Sequence, residues 1–172
     1  MMEYMTLIEE RRSVRVYTDA PVDSDTLERI LHAANRAPSA GDLQAYSIVV
    51  ARTPAIRQAL AKAAVEQQFV AQAPVVLVFL AEPERSGEKY GHRGETLYAL
   101  QDATIACAYA QLAAHDLGLS ACWVGAFRRR DVQEAIGTRE NQMPVALLPI
   151  GHAAEKPQAT PRRSLADLTR EV

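Results

Sequence analysis

A basic cluster near the start of the chain is the first group of residues that could bind a ligand. Three arginines, Arg11, Arg12 and Arg15, lie within five residues, and Ser13 stands between them. Guanidinium groups donate two parallel hydrogen bonds to a phosphate, and a serine hydroxyl adds another donor. Such a cluster is also typical of a solvated surface. The pattern therefore favours either a phosphate site or a polar face.

A second candidate is the segment of residues 38–44, which separates a predicted helix from a predicted strand. Ser39, Asp42 and Gln44 have side chains that could hydrogen-bond the edge of a heterocycle. The same composition is typical of a turn that ends a helix at Pro38. On local sequence alone, the turn is the simpler interpretation.

Small residues follow a large aromatic side chain at residues 118–127. Gly125 and Ala126 come directly after Trp123-Val124, and their backbone N–H groups could approach a flat ligand closely. A buried strand end explains this pattern nearly as well. The pair Arg162-Arg163 in the tail would, taken alone, indicate only a polar terminus.

Several familiar site patterns are missing from the sequence. It has no G-x-G-x-x-G after a strand, no phosphate-binding G-x-x-x-x-G-K-[ST], no H-E-x-x-H and no G-x-S-x-G. The four histidines have no metal-ligand spacing, and Cys107 and Cys122 do not form a C-x-x-C pair. We therefore expect no metal site, no disulfide framework and no catalytic side chain of these classes.

Composition limits the broad class of the protein. A chain of 172 residues with 48% hydrophobic residues can bury a core of its own, so we expect one domain spanning residues 1–172. The net charge of −2 provides no global attraction to nucleic acid or an anionic membrane. No apolar run is long enough to span a bilayer, and we expect a cytoplasmic protein.

The apolar periodicity predicts helices and strands in irregular alternation. Strands are predicted at residues 46–51, 75–81, 120–124 and 145–150. Helices are predicted near residues 2–12, 24–37, 54–63, 96–117 and 131–136, with a mobile loop at 82–94. The unequal helix lengths favour a mixed α+β or three-layer fold over a regular doubly wound sheet.

Taken in order, these segments resemble the nitroreductase family, in particular its short members. That family opens with R-R-S-x-R, continues with P-S-x-x-N-x-Q-P-W, and later has a Q-D helix, G-L-G-x-x-W-[IV]-G-x-F, and a tail with E-K-P and a basic pair. The matching stretches are residues 11–15, 38–46, 101–102, 118–127 and 150–163.

The resemblance implies an α+β, three-layer α/β/α sandwich with a central mixed, largely antiparallel sheet. It also implies a homodimer with non-covalent FMN at its interface. Hydride would pass from NAD(P)H to the flavin and then to a nitro compound, quinone or similar electrophile by a ping-pong route. The cofactor would perform the redox chemistry, so the resemblance implies no catalytic side chain.

By position, the resemblance assigns cofactor contacts to three regions of the sequence. The phosphate and ribityl end of FMN would contact Arg11, Arg12, Ser13, Arg15, and Arg162 or Arg163. The ribityl chain and ring edge would contact Pro38, Ser39, Ala40, Asp42 and Gln44, and the N–H groups of Gly125 and Ala126 would lie near flavin N5 and O4.

Two departures from the family pattern leave other interpretations open. Asp42 replaces the loop asparagine, and an ionised carboxylate beside the ring would make flavin reduction harder. Ala45-Tyr46 replaces the proline and tryptophan that usually follow the glutamine, so a rigid aromatic wall of the expected site is altered. A non-catalytic or regulatory flavin-binding protein, and a specialised flavin enzyme of the same fold, are the alternatives.

Overall fold

The computed structural model describes residues 2–172, and four strands form one sheet within them. The strands are β1 (Tyr46–Ala51), β2 (Val75–Ala81), β3 (Ser120–Ala121) and β4 (Met143–Gly151), in the order β1-β2-β4-β3. All neighbouring strands pair antiparallel, and a single parallel bridge joins Ser13 to Ala121 at the outer side of β3. The expected mixed, largely antiparallel sheet is confirmed.

Helices cover both faces of this sheet. They are α1 (Tyr4–Glu10), α2 (Ser24–Asn35), α3 (Pro54–Ala63), α4 (Phe69–Gln72), α5 (Pro83–Arg93), α6 (Ala99–Asp116), α7 (Arg129–Ile136) and α8 (Leu165–Leu168). None of these helices of residues 2–172 is both long and apolar enough to cross a lipid bilayer.

The core consists of two clusters on opposite faces of the central strand β2, whose residues are all buried. Leu77 and Phe79 pack with the inner faces of α2 and α6. Val78 and Leu80 point to the other face and pack with α3, α4 and α7. This alternation is the two-residue period of a strand buried on both sides, and it produces the expected α/β/α layers.

Local signals in the sequence determine several element ends. The Asp23 carboxylate accepts a hydrogen bond from the backbone N–H of Thr26 at 2.8 Å and caps α2. Gly118 has a φ of 77° and ends α6, and its N–H donates to the carbonyl of His115 at 3.0 Å. Strands β1 and β2 begin and end at the residues expected from their β-branched runs.

Two expectations about local structure were wrong. Residues 82–94 are mainly helical: α5 begins at Pro83, kinks at Gly91 and leads into a π-helical turn, Gly94–Tyr98, before α6. Tertiary contacts hold this segment, since the Tyr90 and Tyr98 rings stack edge to face at 5.2 Å. The strand expected at 120–124 has only two residues, and a lone bridge between Val124 and Leu147 follows it.

Candidate functional site

Residues from both ends of the chain line one cavity of about 470 Å³, which we call the arginine cavity. Its N-terminal wall includes Arg11, Arg12, Ser13 and Arg15, and its C-terminal wall includes residues 157–160 and Arg162. The family resemblance assigns these arginines to one anion site. The structure brings them together around a space large enough for a ligand.

Hydrogen bonds to the sheet and the tail fix the position of this basic segment. The Val14 N–H donates to the carbonyl of Ala121 at 3.3 Å, which attaches the segment to the outer side of β3. The buried Tyr17 hydroxyl lies 2.8 Å from the Val14 carbonyl oxygen, and burial raises the pKa of this phenol. The Glu155 carboxylate accepts a hydrogen bond from the Arg15 N–H at 2.5 Å and joins the tail to the same segment.

Four arginines and one carboxylate, that of Glu9, line the arginine cavity, so its net positive charge suits an anion. Within residues 2–172, Arg11, Arg12, Arg15 and Arg162 form no ion pair with a carboxylate. The pKa of Arg11 is lowered, first by burial and then by repulsion from Arg162 and Arg12. A bound anion would relieve this repulsion and accept charge-assisted hydrogen bonds.

The two tail arginines have different surroundings. Arg162 lines the arginine cavity, where its guanidinium donates to the Thr160 hydroxyl at 2.7 Å. Arg163 donates instead to the carbonyl of Asp167 in α8. The geometry therefore favours Arg162 over Arg163 as the anion ligand, a choice that the sequence leaves open.

The segment of residues 38–44, which we call the 38–44 loop, has an unusual backbone that a buried carboxylate holds in place. Gly41, Asp42 and Gln44 have φ angles of 59°, 57° and 49°, a region that costs free energy for residues other than glycine. Asp102 in α6 is only 2% exposed. Its two oxygens accept hydrogen bonds from the N–H groups of Ala40 at 3.0 Å and Ala45 at 3.2 Å.

Asp102 therefore connects the two ends of the 38–44 loop. The Ser39 hydroxyl adds a third restraint by accepting a hydrogen bond from the Gln44 N–H at 3.0 Å. The side chains of Asp42 and Gln44 have no hydrogen-bond partner within the described chain, so both remain available to a ligand. Pro38, Ser39 and Ala40 line a cavity of about 530 Å³ beside α6.

The predicted contact region at Gly125 and Ala126 lies further along the edge of the sheet. The backbone N–H groups of Gly125 and Ala126 make no hydrogen bond to residues 2–172. A Cβ added at Gly125 would have only the Trp123 indole nitrogen within 4 Å, at 3.8 Å, so the backbone here is open to close approach. Gly125 lines a cavity of about 610 Å³, which we call the Gly125 cavity.

The sheet determines how these regions lie relative to one another. Ser13 bridges Ala121, and the chain then follows the edge of β4 to Val124, which bridges Leu147. Four extended residues span roughly 13 Å, so an elongated ligand could contact both the arginine cavity and Gly125. The 38–44 loop precedes β1 at the opposite edge and the opposite end of the sheet. By strand spacing and rise it lies about 25 Å from Ser13.

One chain thus brings the arginines and the Gly125 N–H group to one edge of the sheet but leaves the 38–44 loop at the diagonal corner. Asp102 and Glu155 are the positioning residues that side-chain chemistry alone does not single out. A signal for Asp102 exists in the sequence, since it is a carboxylate on a helix face otherwise composed of small apolar residues.

This chain is similar to known proteins over most of its length. The family model described as "Nitroreductase family" matches residues 8–72 and 63–152. An FMN reductase [NAD(P)H] of Bacillus subtilis is 29% identical over 175 aligned residues, covering 94% of this chain and 70% of that protein.

Two solved structures have the same fold over nearly the whole chain. Nitroreductase A from Vibrio parahaemolyticus superposes with a TM-score of 0.90 at 29% identity, covering 99% of this chain and 76% of the other. The NADPH:FMN oxidoreductase from Vibrio harveyi, solved in complex with NAD⁺, has a TM-score of 0.89 at 28% identity, covering 97% and 76%. Because the family model also matches well over half of the sequence, the chain belongs to the nitroreductase family.

Proposed function

We propose that this protein is an FMN-dependent oxidoreductase that uses NAD(P)H. The observation that carries the proposal is the alignment of two complementary features along one sheet edge: arginines without carboxylate partners, and N–H groups without acceptors. The names of the relatives support it, since they include an NAD(P)H-dependent FMN reductase and an NADPH:FMN oxidoreductase.

The chain's own groups fit the two ends of FMN. The arginine cavity would hold the phosphate through Arg11, Arg162 and the Ser13 hydroxyl, with Arg12 and Arg15 nearby. The Gly125 and Ala126 N–H groups would face the polar edge of the ring and stabilise negative charge there. When bound, FMN would take two electrons from NAD(P)H and deliver them to a nitro compound, quinone or similar electrophile in a separate, ping-pong half-reaction.

A second copy of the chain would complete each site. The 38–44 loop lies too far from the arginine cavity to serve the same ligand, whereas the loop of a partner subunit could reach it. The protein would then be a homodimer with two FMN sites. Each site would be built from the arginines and Gly125 of one subunit and the 38–44 loop of the other. Asp102 would hold that loop in its strained conformation.

Asp42 would affect how readily the bound flavin is reduced. Its backbone lies in the left-handed region that Asn and Asp tolerate, which fits the place of asparagine in the family pattern. An ionised carboxylate next to the ring would oppose the arrival of negative charge. Protons can come from water or the acceptor, since the proposed mechanism requires no side-chain acid.

We further propose that residues 1–172 act as one domain in the cytoplasm. Both cysteines are free and buried, which fits a reducing compartment. Burial raises the pKa of the Cys107 and Cys122 thiols. Both side chains are therefore expected to stay protonated and inert towards oxidation.

The absorption spectrum of the purified protein tests the cofactor, and anaerobic mixing tests the activity. We expect flavin bands in the visible region, bleaching on addition of NADH or NADPH, and recovery of colour with a nitroaromatic or a quinone. A yellow protein inert to both reagents would support the flavin-binding alternative. A colourless protein that takes up no added FMN would refute the proposal.

A further inference from the structure

Three consecutive arginines at residues 128–130 differ in their partners. The Arg128 guanidinium pairs with Asp131 at 2.5 Å, and that of Arg130 pairs with Glu134 at 3.1 Å. Arg129 has neither an ion pair nor a side-chain hydrogen bond within residues 2–172. The run therefore contains one guanidinium that remains available to a ligand.

Arg129 also lines the Gly125 cavity, whose other walls are mostly apolar. The apolar contributions come from Leu100, Phe127, Met143, Pro144 and Val145, and Thr96 adds one hydroxyl. An aromatic ring would bury apolar surface against these walls, while an anionic substituent would accept two hydrogen bonds from the guanidinium. One cation beside several apolar side chains thus favours a ligand that is both aromatic and anionic.

We propose that Arg129 is a specificity-determining residue, and that the Gly125 cavity binds a planar aromatic group carrying a carboxylate or phosphate. This inference rests on the proposed function, because Gly125 is the residue expected beside the reactive ring. The anionic group could be a carboxylate of the electron acceptor or the diphosphate that a ribose joins to the nicotinamide ring of the donor. Both present the same chemistry to Arg129, and the two half-reactions distinguish them.

Calorimetric titration with benzoate and with neutral benzamide tests the cavity directly. We expect the purified protein to bind benzoate more tightly than benzamide. Arg129→Ala should weaken benzoate binding by about tenfold and leave benzamide binding unchanged, since only the charge-assisted hydrogen bonds are lost. Arg130→Ala is the matched control, because its side chain is paired with Glu134 outside the cavity. An equal loss in both variants, or none in Arg129→Ala, would overturn the inference.

Anaerobic stopped-flow measurements identify the source of the anion. If it belongs to the acceptor, Arg129→Ala slows reoxidation by 4-nitrobenzoate but not by nitrobenzene. If it belongs to the donor, the variant slows flavin reduction by NADH and by NADPH alike. A variant unchanged in both half-reactions would refute the role of Arg129. Failure of the wild-type protein to be reduced would instead refute the proposed function, while the benzoate titration would still report on the cavity.

Discussion

The arginines of the arginine cavity form no ion pair within residues 2–172, although the Glu9 side chain also lines the cavity. Arg11 is partly buried and close enough to Arg162 and Arg12 for repulsion to lower its pKa. Burying like charges together costs free energy that a solvated surface would not incur. The arrangement is therefore better explained by an anionic ligand than by a polar face, which was the other interpretation of the cluster.

Replacement of Arg11 by alanine tests this explanation. We expect Arg11→Ala to weaken FMN binding by about 1.5–3 kcal/mol, the usual contribution of a hydrogen bond to a charged group. Arg163→Ala is the control, because Arg163 donates to the Asp167 carbonyl outside the cavity and should leave affinity nearly unchanged. Fluorescence titration of the apoproteins with FMN measures both. Equal losses in the two variants would mean that general charge, rather than this cavity, attracts the cofactor.

Replacement of Asp102 by asparagine should destabilise the protein. In Asp102→Asn the new amide N–H₂ must face one of the two backbone donors that the carboxylate now satisfies. Leaving a buried N–H without an acceptor costs about 1–3 kcal/mol, so the free energy of unfolding should fall by that amount in urea titrations.

Asp116→Asn is the matched control for Asp102→Asn. Asp116 lies at the other end of the same helix and accepts a hydrogen bond only in an exposed setting. A surface change of this kind should alter the free energy of unfolding by less than about 0.5 kcal/mol. If Asp102→Asn were equally neutral, the carboxylate would not be what holds the 38–44 loop.

The sequence indicates candidate ligand-binding residues more readily than positioning residues. Arg11 and Ser13 can be found because guanidinium and hydroxyl groups close together have an obvious chemistry. Asp102 and Glu155 act on backbone N–H groups that are distant in sequence, at Ala40 and Arg15. No local pattern specifies such partners, because only the packed fold brings them together.

At the scale of elements, runs of β-branched residues predict β1 and β2 well because burial on both faces leaves little choice of conformation. Helix α5 is different. Its glycines and charges indicate a loop, yet contacts with the following π-helical turn stabilise it. Its residues also bond distant parts of the chain: the Arg85 side chain donates to the Leu43 carbonyl at 2.6 Å, and the Asn141 amide donates to the Glu84 carboxylate at 2.7 Å. Tertiary packing here overrides local propensity.

Two glycines in this segment should respond oppositely to alanine. A Cβ at Gly94 would lie 2.4 Å from the backbone oxygen of Ser86, so Gly94→Ala should destabilise the protein by about 1–3 kcal/mol through overpacking. At Gly87 the obstacle is the flexible side chain of Glu95, which can move away.

Gly87→Ala should therefore be neutral or stabilising by up to about 1 kcal/mol, because alanine favours the helix. Urea unfolding of both variants makes the comparison. A stabilised Gly94→Ala would show that α5 and the π-helical turn do not pack as closely as the structure indicates.

At the scale of the whole molecule, the strand order decides which predicted residues can share a site. The order β1-β2-β4-β3 puts the 38–44 loop and the arginine cavity at opposite edges of the sheet. No sequence pattern gives this order, because any strand with two buried faces could occupy the centre. The resemblance supplies the list of contacts, but only the topology shows that the arginines and the 38–44 loop of one chain lie at opposite edges of the sheet.

Mixing two defective chains tests whether a site is shared between subunits. One chain carries Arg11→Glu, and the other carries Asp42→Ala with Gln44→Ala, so each alone should bind little FMN. In a mixed dimer one site collects both defects, while the other combines an intact arginine cavity with an intact 38–44 loop. Random pairing should therefore restore about a quarter of all sites. Bound flavin per chain, measured after co-refolding and desalting, reports this recovery. If loop and arginines belonged to the same subunit's site, every chain would remain defective and mixing would restore nothing.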